Sequence, residues 1–284
     1  MSLYDLHCHS RASDGALDPV ALVHRAQAQG VETLALTDHD TVAGLPRAQS
    51  AALDCGLNLI PGIELSSLWG NRGVHIVGLC IDATHPVLHS AIIHQKKVRE
   101  ERAVIIAERL RRQGIHGALA GAQAIADNGV IGRPHFAQFL IQAGWVDTPA
   151  AAFKKYLGAG KVGDVKGLWP NMATVVGWIR ASGGIAVLAH PTKYKLTRMK
   201  LCELLREFVA VGGQAVEVIC GAHSVEAAAE LARLVTDFGL YASCGSDFHV
   251  PDQPWQELGA FATLPGECEP VWTLWNHAGA ECSA

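Results

Sequence analysis

The sequence predicts an α/β fold, a closed barrel of seven strands interrupted by a helical insert. Three observations predict it. Seven short β-rich runs alternate with amphipathic helical stretches, metal-ligand side chains follow nearly every run, and one long segment of the chain breaks the alternation.

The β-rich runs lie at 2–6, 32–37, 57–62, 73–79, 185–189, 214–219 and 240–244. Several are apolar almost throughout, as strands buried on both faces are. Helical stretches fall between them at about 18–29, 42–55, 170–182, 198–211 and 223–237, several closed by a stop glycine such as Gly30, Gly56 or Gly239. Strand followed by helix implies parallel strands joined by right-handed crossovers, in an open sheet or a barrel.

Ligand placement chooses between the two. Seven patches at predicted strand ends supply nine metal-ligand side chains: His7, His9, Asp14, His39, Glu64, His75, His190, Asp247 and His249. A barrel gathers all its C-terminal strand ends around one mouth, whereas an open sheet spreads them along a line. Imidazole and carboxylate without thiolate suit manganese, iron or zinc, and nine ligands exceed what one ion takes, so the site reads as polynuclear. His7/His9 and Asp247/His249 have the spacing of two that puts side chains on one face of a strand. Cys8 between the first pair then points away, as a small buried side chain.

The segment 85–167 replaces the alternation with a long helical stretch at 86–113 and shorter ones near 118–127, 134–143 and 149–157. It reads as an insert that serves as a substrate cap, leaving 1–84 and 168–284 as the barrel. From Gln95 to Lys166 there are twelve Lys and Arg against six acids, so this stretch is +6 in a chain of net −4. That sign suits a phosphorylated ligand. The alternative is the solvated surface of one helix, since Glu100, Glu101 and Glu108 lie among the bases.

At 284 residues with 49% hydrophobic and 18% charged residues, the chain has ample material for a core. Eight scattered cysteines without a CxxC pair argue against a zinc knuckle or redox dithiol and read as reduced thiols of a cytoplasmic protein. No apolar run is long enough to span a bilayer, and cleavage of a signal peptide would delete His7 and His9. The acidic total gives no reason to expect tight binding to duplex nucleic acid.

Singly these motifs are weak; in order they are specific. His7-Cys8-His9-Ser10 with Ser13-Asp14-Gly15, then Thr37-Asp38-His39-Asp40-Thr41, Gly62-Ile63-Glu64, His75, Ala189-His190-Pro191 and Gly245-Ser246-Asp247-Phe248-His249 resemble the PHP (polymerase and histidinol phosphatase) family. Within it the chain is most similar to stand-alone phosphoesterases that remove the 3′-phosphate of nucleoside 3′,5′-bisphosphates, a group whose relatives trim short RNA from the 5′ end. Gly132-Arg133-Pro134-His135 and Phe153-Lys154-Lys155-Tyr156-Leu157 add to the likeness.

The resemblance implies a distorted (β/α)7 barrel, the PHP fold, with three divalent ions, most simply manganese. His7, His9, Glu64 and Asp247 would hold the first, Glu64, His75 and His190 the second, and Asp14, His39 and His249 the third. Three ions less three carboxylates leave a surplus of about +3, which suits a phosphate ester and a hydroxide nucleophile shared between two ions. Asp247, His223 and His135 are the catalytic candidates, the two histidines as proton donors to the leaving oxygen. Arg133, His135, Lys161 and His223 are the candidate substrate contacts, Arg133 because its planar fork binds phosphate oxygens in pairs, with Lys193 behind them.

Asp38 and Asp40 flank His39 and are placed to orient ligand histidines, with a helix cap as the other reading of Asp40. Trp69, Trp145 and Trp169 offer faces on which a nucleobase could stack, with a place in the core as the preferred reading. The competing functions are a histidinol phosphate phosphatase, against which the basic insert speaks, and a metal-stabilised interaction domain without catalysis, which the complete ligand set fits poorly.

Overall fold

A computed structural model describes residues 3–127, 129–222 and 224–277. Seven strands, β1 (Tyr4–Cys8), β2 (Thr33–Leu36), β3 (Asn58–Trp69), β4 (Arg72–Leu79), β5 (Ile185–Leu188), β6 (Ala215–Cys220) and β7 (Tyr241–Gly245), form one sheet in sequence order. The sheet is nearly closed, because Cys8 bridges Phe248 in parallel, His9 N donates to Phe248 O at 2.9 Å and Asp247 N donates to His7 O at 2.8 Å. The helices of the barrel are α1 (Pro19–Ala28), α2 (Leu45–Cys55), α7 (Met172–Ala181), α8 (Arg198–Ala210) and α9 (Val225–Asp237), and a short α10 (Thr273–His277) follows β7. Asp18, Asn171, Thr197 and Ser224 cap α1, α7, α8 and α9 through their side-chain oxygens.

One strand departs from the all-parallel expectation. β4 runs antiparallel to both β3 and β5. The reason is local: β3 continues through Glu64 to Trp69, and the two residues Gly70 and Asn71 turn the chain directly back as a hairpin. No crossover helix intervenes, so β4 enters the barrel from the mouth. His75 is therefore near the start of its strand rather than at its end, and still lies at the same rim as the C-terminal ends of the parallel strands.

Side-chain parity divides the core into two layers. Inward positions such as Ala35, Ile60, Val77, Leu79 and Val187 fill the barrel interior, while Leu34, Leu36, Ile63, Ile76 and Leu188 pack outward against the helices. In β1 the register slips between Asp5 and Cys8, a bulge that gives β1 one residue more than β2. Leu6 can thus join the interior cluster while His7, its neighbour, also faces the mouth. Cys8 packs in the outer layer, its thiol donating to Ala35 O at 3.2 Å, as the alternation required.

Between β4 and α7 come α3 (Pro86–Arg111), α4 (Ala118–Ala126), α5 (Arg133–Gln142), α6 (Pro149–Ala152) and a π-helical turn, Phe153–Leu157. Their apolar residues form a separate cluster built on Ile106, Leu110, Phe136, Leu140 and Leu157. α3 belongs to both halves: Leu88 packs in the barrel's outer layer and Ile106 in the insert cluster. Between these ends its buried face carries Gln95, Arg99 and Arg102 among the apolar Ala91, Val98 and Ala103. Asp40 is the anchor. It accepts from Ser66 N at 2.8 Å, Gln95 Nε2 at 2.8 Å and Arg99 Nε at 2.6 Å, so it neither caps α2 nor touches a ligand histidine.

Among the described cysteines Cys8, Cys55, Cys202, Cys220, Cys244 and Cys268 are thiols, whereas Cys80 is disulfide-bonded, which departs from the reading of eight reduced residues. No described helix is long and apolar enough to cross a membrane.

Closure leaves no room at Gly245, where an added Cβ would stand 2.5 Å from His7 Cβ and 2.7 Å from His7 N. Gly245→Ala is expected to lower stability by about 1–3 kcal/mol through overpacking of the β1/β7 seam, read by urea denaturation. An unchanged midpoint would show that the seam yields without cost.

Candidate metal centre

The nine side chains singled out in the sequence converge at the barrel mouth. His7 rises from β1, Glu64 from the middle of β3 and His75 from the start of β4, while His9, Asp14, His39, His190, Asp247 and His249 sit on the loops that follow β1, β2, β5 and β7. All nine fall into groups of donors lying within 4.8 Å of one another: His9, Asp14, His39 and His249; His7, Glu64 and His190; His7, His9 and Asp247; His39, Glu64 and His75.

The closest-knit corner joins His7, His9, Glu64 and Asp247. His7 Nε2 is 3.1 Å from His9 Nε2, and both face Glu64 Oε2 at 3.5 and 3.4 Å and Asp247 Oδ1 at 3.5 and 3.3 Å. Donors each about 2.1 Å from one tetrahedral ion stand about 3.4 Å apart, and these five separations lie close to that value. Glu64 faces two ways. Its Oε1 is 2.9 Å from His75 Nδ1 and 3.1 Å from His190 Nε2, while Oε2 serves the first corner and approaches His39 Nδ1 at 2.7 Å. Asp14 Oδ1 stands 3.4 Å from His249 Nε2, and Asp14 Oδ2 stands 3.8 Å from His39 Nε2.

Buried polar atoms in a folded protein nearly always have a hydrogen-bond partner. Here His9 Nδ1, Asp14 Oδ1, His39 Nδ1, Glu64 Oε2 and His190 Nδ1 make no well-formed hydrogen bond, the close approaches of Glu64 to His39 and of Asp14 to His249 being poorly aligned, and the single other such side-chain atom among the described residues is Gln95 Oε1. Unsatisfied polarity is thus concentrated in one place. The donor set, all imidazole nitrogen and carboxylate oxygen, fits borderline divalent cations.

Electrostatics agree. Burial opposes ionisation of Glu64, yet the charges of His39, His75 and His7 outweigh it and hold the carboxyl well below the usual range. Asp247 is held down in the same sense, against burial, by His7 and Lys193. Burial, with His249 and His39 as neighbours, pushes His9 down to about 3, so its imidazole is neutral with one ring nitrogen able to donate a lone pair, whereas the carboxylates around His7, His39 and His249 outweigh burial and push those three up.

Glu217 escaped the sequence reading. It is buried in β6, its Oε1 2.9 Å from His7 Nδ1 and its Oε2 accepting from His190 N at 2.7 Å. One carboxylate therefore fixes which ring nitrogen of His7 faces the cluster and positions the His190 loop. The signal was a lone acid inside the apolar run Ala215-Val216-Glu217-Val218-Ile219. Asp38 organises the other side. It accepts from Ser10 N at 2.7 Å, Ser10 Oγ at 2.6 Å and Ser13 Oγ at 2.6 Å, which shapes the loop carrying Asp14 rather than any histidine ring.

Above the cluster lies a cavity of about 400 Å³ whose walls include Arg99, Arg102, Arg133, Lys193, Phe153 and Trp169. Arg99 is paired with Asp40 and Lys193 with Asp247. Arg102 Nε donates to Val165 O at 2.9 Å and Arg133 donates to Leu157 O at 3.3 Å; neither has a carboxylate in contact among the described residues. Burial and then the neighbouring Arg133 and Arg99 lower the pKa of Arg102, and the more distant charges of Asp164 and Asp40 offset them only in part. Trp169 lies beneath both Arg99 and Arg102, each guanidinium 5.3 Å from its ring. Arg99 and Arg102 were missed by motif; their signal is polar residues at the buried register of a helix that is otherwise apolar there.

The remaining candidates part ways. Arg133 and Lys193 face the cavity. His135 does not line it: its Nδ1 accepts from Gly132 N at 2.9 Å and caps α5, and the ring borders a neighbouring groove. Lys161 lies in a separate hollow on the insert, because the chain turns away from the mouth after the π-helical turn. His223 lies outside the described residues.

Comparison with known proteins gives a consistent picture. The PHP domain family profile matches residues 5–153. A 5′-3′ exoribonuclease of Haemophilus influenzae is 47% identical over 269 residues, covering 95% of this chain and 97% of the relative. A 3′,5′-nucleoside bisphosphate phosphatase of Chromobacterium violaceum is 42% identical over 273 residues, covering 96% of each. A solved structure of an amidohydrolase from Chromobacterium violaceum, with bound sulfate and no metal, superposes with a TM-score of 0.91 at 41% identity over 97% of this chain and 96% of that one.

Because Glu217 orients His7 without touching the cavity, Glu217→Gln should weaken metal binding about 10–100-fold while the fold persists. Titration of metal-free protein with manganese, followed calorimetrically, measures this; wild-type affinity in the variant would remove Glu217 from the site's support.

Proposed function

The chain belongs to the PHP domain family, and on that premise we propose that it is a metal-dependent phosphoesterase removing the 3′-phosphate of nucleoside 3′,5′-bisphosphates, with trimming of short RNA from the 5′ end by the same site. The observation that carries this reading is the pairing of a nine-donor cluster with a cationic cavity directly over it. The relatives named as bisphosphate phosphatase and exoribonuclease support the substrate class, and the sulfate held by the Chromobacterium violaceum structure is a tetrahedral dianion like phosphate.

In this reading His7, His9, Glu64 and Asp247 hold one divalent ion, Glu64, His75 and His190 a second, and Asp14, His39 and His249 a third, with manganese the expected metal. Such ions, when bound, acidify water and draw charge from phosphoryl oxygens. The chain does the rest. Arg102 and Arg133, lacking carboxylate partners, bind the phosphate that is not cleaved and fix the ribose relative to the cluster. Lys193, kept charged against burial by Asp247, neutralises a phosphoryl oxygen. Trp169 offers a flat face beside the arginines, and residues 85–167 act as the cap that supplies this wall.

The cavity also separates this function from histidinol phosphate hydrolysis. A substrate with an ammonium group meets Arg99, Arg102 and Arg133 at close quarters, where like charges repel in a partly desolvated space. Short nucleotides with two phosphates match it.

Manganese-loaded protein should release phosphate from adenosine 3′,5′-bisphosphate and shorten a 5′-phosphorylated oligoribonucleotide, with histidinol phosphate at least about 100-fold poorer in kcat/KM. Arg133→Ala should cost about 10–100-fold in kcat/KM on the bisphosphate, mostly in KM and with metal content unchanged, as expected for one charge-assisted contact of about 1.5–3 kcal/mol. Faster turnover of histidinol phosphate, or unchanged kinetics in the variant, would overturn the assignment.

A further inference from the structure

The metal cavity has a second basic surface behind it. On the outer side of the insert a hollow of about 550 Å³ is lined by Trp145, Lys154, Lys155 and Lys161, with Asp147 as the acid among its lining residues. Trp145 is 39% exposed, a large apolar ring left open to solvent beside three exposed lysines. An exposed indole with neighbouring ammonium groups is the combination that holds single-stranded nucleic acid: bases stack on the ring, and the lysines follow the phosphates.

The π-helical turn connects the two surfaces. Phe153, its first residue, lines the metal cavity, and Lys154 and Lys155, the next two, line the outer hollow. Tyr156 and Leu157 anchor the turn in the insert core, and Arg133 reaches from the cavity wall to Leu157 O. Lys161 is tied to the same turn through its backbone bond to Gly158 O at 3.0 Å. The residue that walls the cavity and two lysines of the hollow are thus consecutive on one turn.

We propose that this outer hollow binds the downstream nucleotides of a single-stranded RNA whose 5′ end occupies the metal cavity. The proposal rests on the phosphoesterase reading above and assigns a surface that a mononucleotide, contained in the inner cavity, never reaches. It separates the two activities physically: one cluster of donors serves both, and the outer hollow serves RNA alone.

The test compares Trp145→Ala and the double variant Lys154→Ser/Lys155→Ser with wild type on three substrates: adenosine 3′,5′-bisphosphate, a 5′-phosphorylated diribonucleotide and a 5′-phosphorylated octaribonucleotide. Each variant should lose roughly ten-fold in kcat/KM on the octamer while staying within about two-fold on the other two, and the lysine variant should flatten the salt dependence of octamer turnover. Equal effects on dimer and octamer, or none on either, would overturn the proposal. Anisotropy of a 3′-fluorescein octamer on the manganese-loaded protein gives a readout independent of turnover. If wild type hydrolyses nothing, the phosphoesterase reading falls, and octamer affinity in the variants still decides this one: a roughly ten-fold loss supports the hollow, and wild-type affinity excludes it.

Discussion

Glu64 is fully buried on β3, with one carboxylate oxygen toward His75 and His190 and the other toward His7, His9 and His39. Withdrawing a carboxylate from water costs several kcal/mol unless opposite charge surrounds it. Here the compensation comes from rings on four different strands or strand ends, so the barrel has to bring those elements to one rim for Glu64 to be tolerable at all. The bulge in β1, the tight seam at Gly245 and the buried Glu217 behind His7 all serve that convergence. Fold and donor set are a single arrangement, since the same strand ends that close the barrel carry the donors.

Much of this was legible in the chain. Six of the seven strands lie within two residues of the β-rich runs, because each run is short, apolar and bounded by glycine or by a polar ligand patch, whereas β3 runs seven residues past its expected end, to Trp69. The direction of β4 was not. Hydrophobic periodicity says where a strand lies, not which way it points, and the only directional clue was the Gly70-Asn71 pair between two extended segments, a hairpin signal masked by reading β3 as ending before Glu64. Direction mattered little for His75, since a strand entering from the mouth presents its first residues where its parallel neighbours present their last.

Residues that support the site were harder to read than those that compose it. His7, His9 and Asp247 announce themselves by type and spacing. Arg99 and Arg102 lie on a helix whose charges otherwise face water, and only packing shows that their register, shared with Gln95, turns toward the barrel. His135 and Lys161 were attractive by chemistry alone. The first spends its ring nitrogen on a backbone N–H, and the second follows a turn that carries it round to the far side of the insert. The outcome at Lys161 depends on where the chain goes after its last regular residue, and that at His135 on its place in the first turn of α5, where the ring closes onto the N-cap N–H.

The hydrogen bonds between His7 and Asp247 and between His9 and Phe248 join the first strand to the last. During synthesis the N-terminal histidines emerge early, yet their partners leave the ribosome only when almost the whole polypeptide has been made. A nascent chain therefore carries part of the donor set, including His39, Glu64 and His75, and no finished cage. Completion of the donor set and closure of the barrel depend on the same late residues, Asp247, Phe248 and His249.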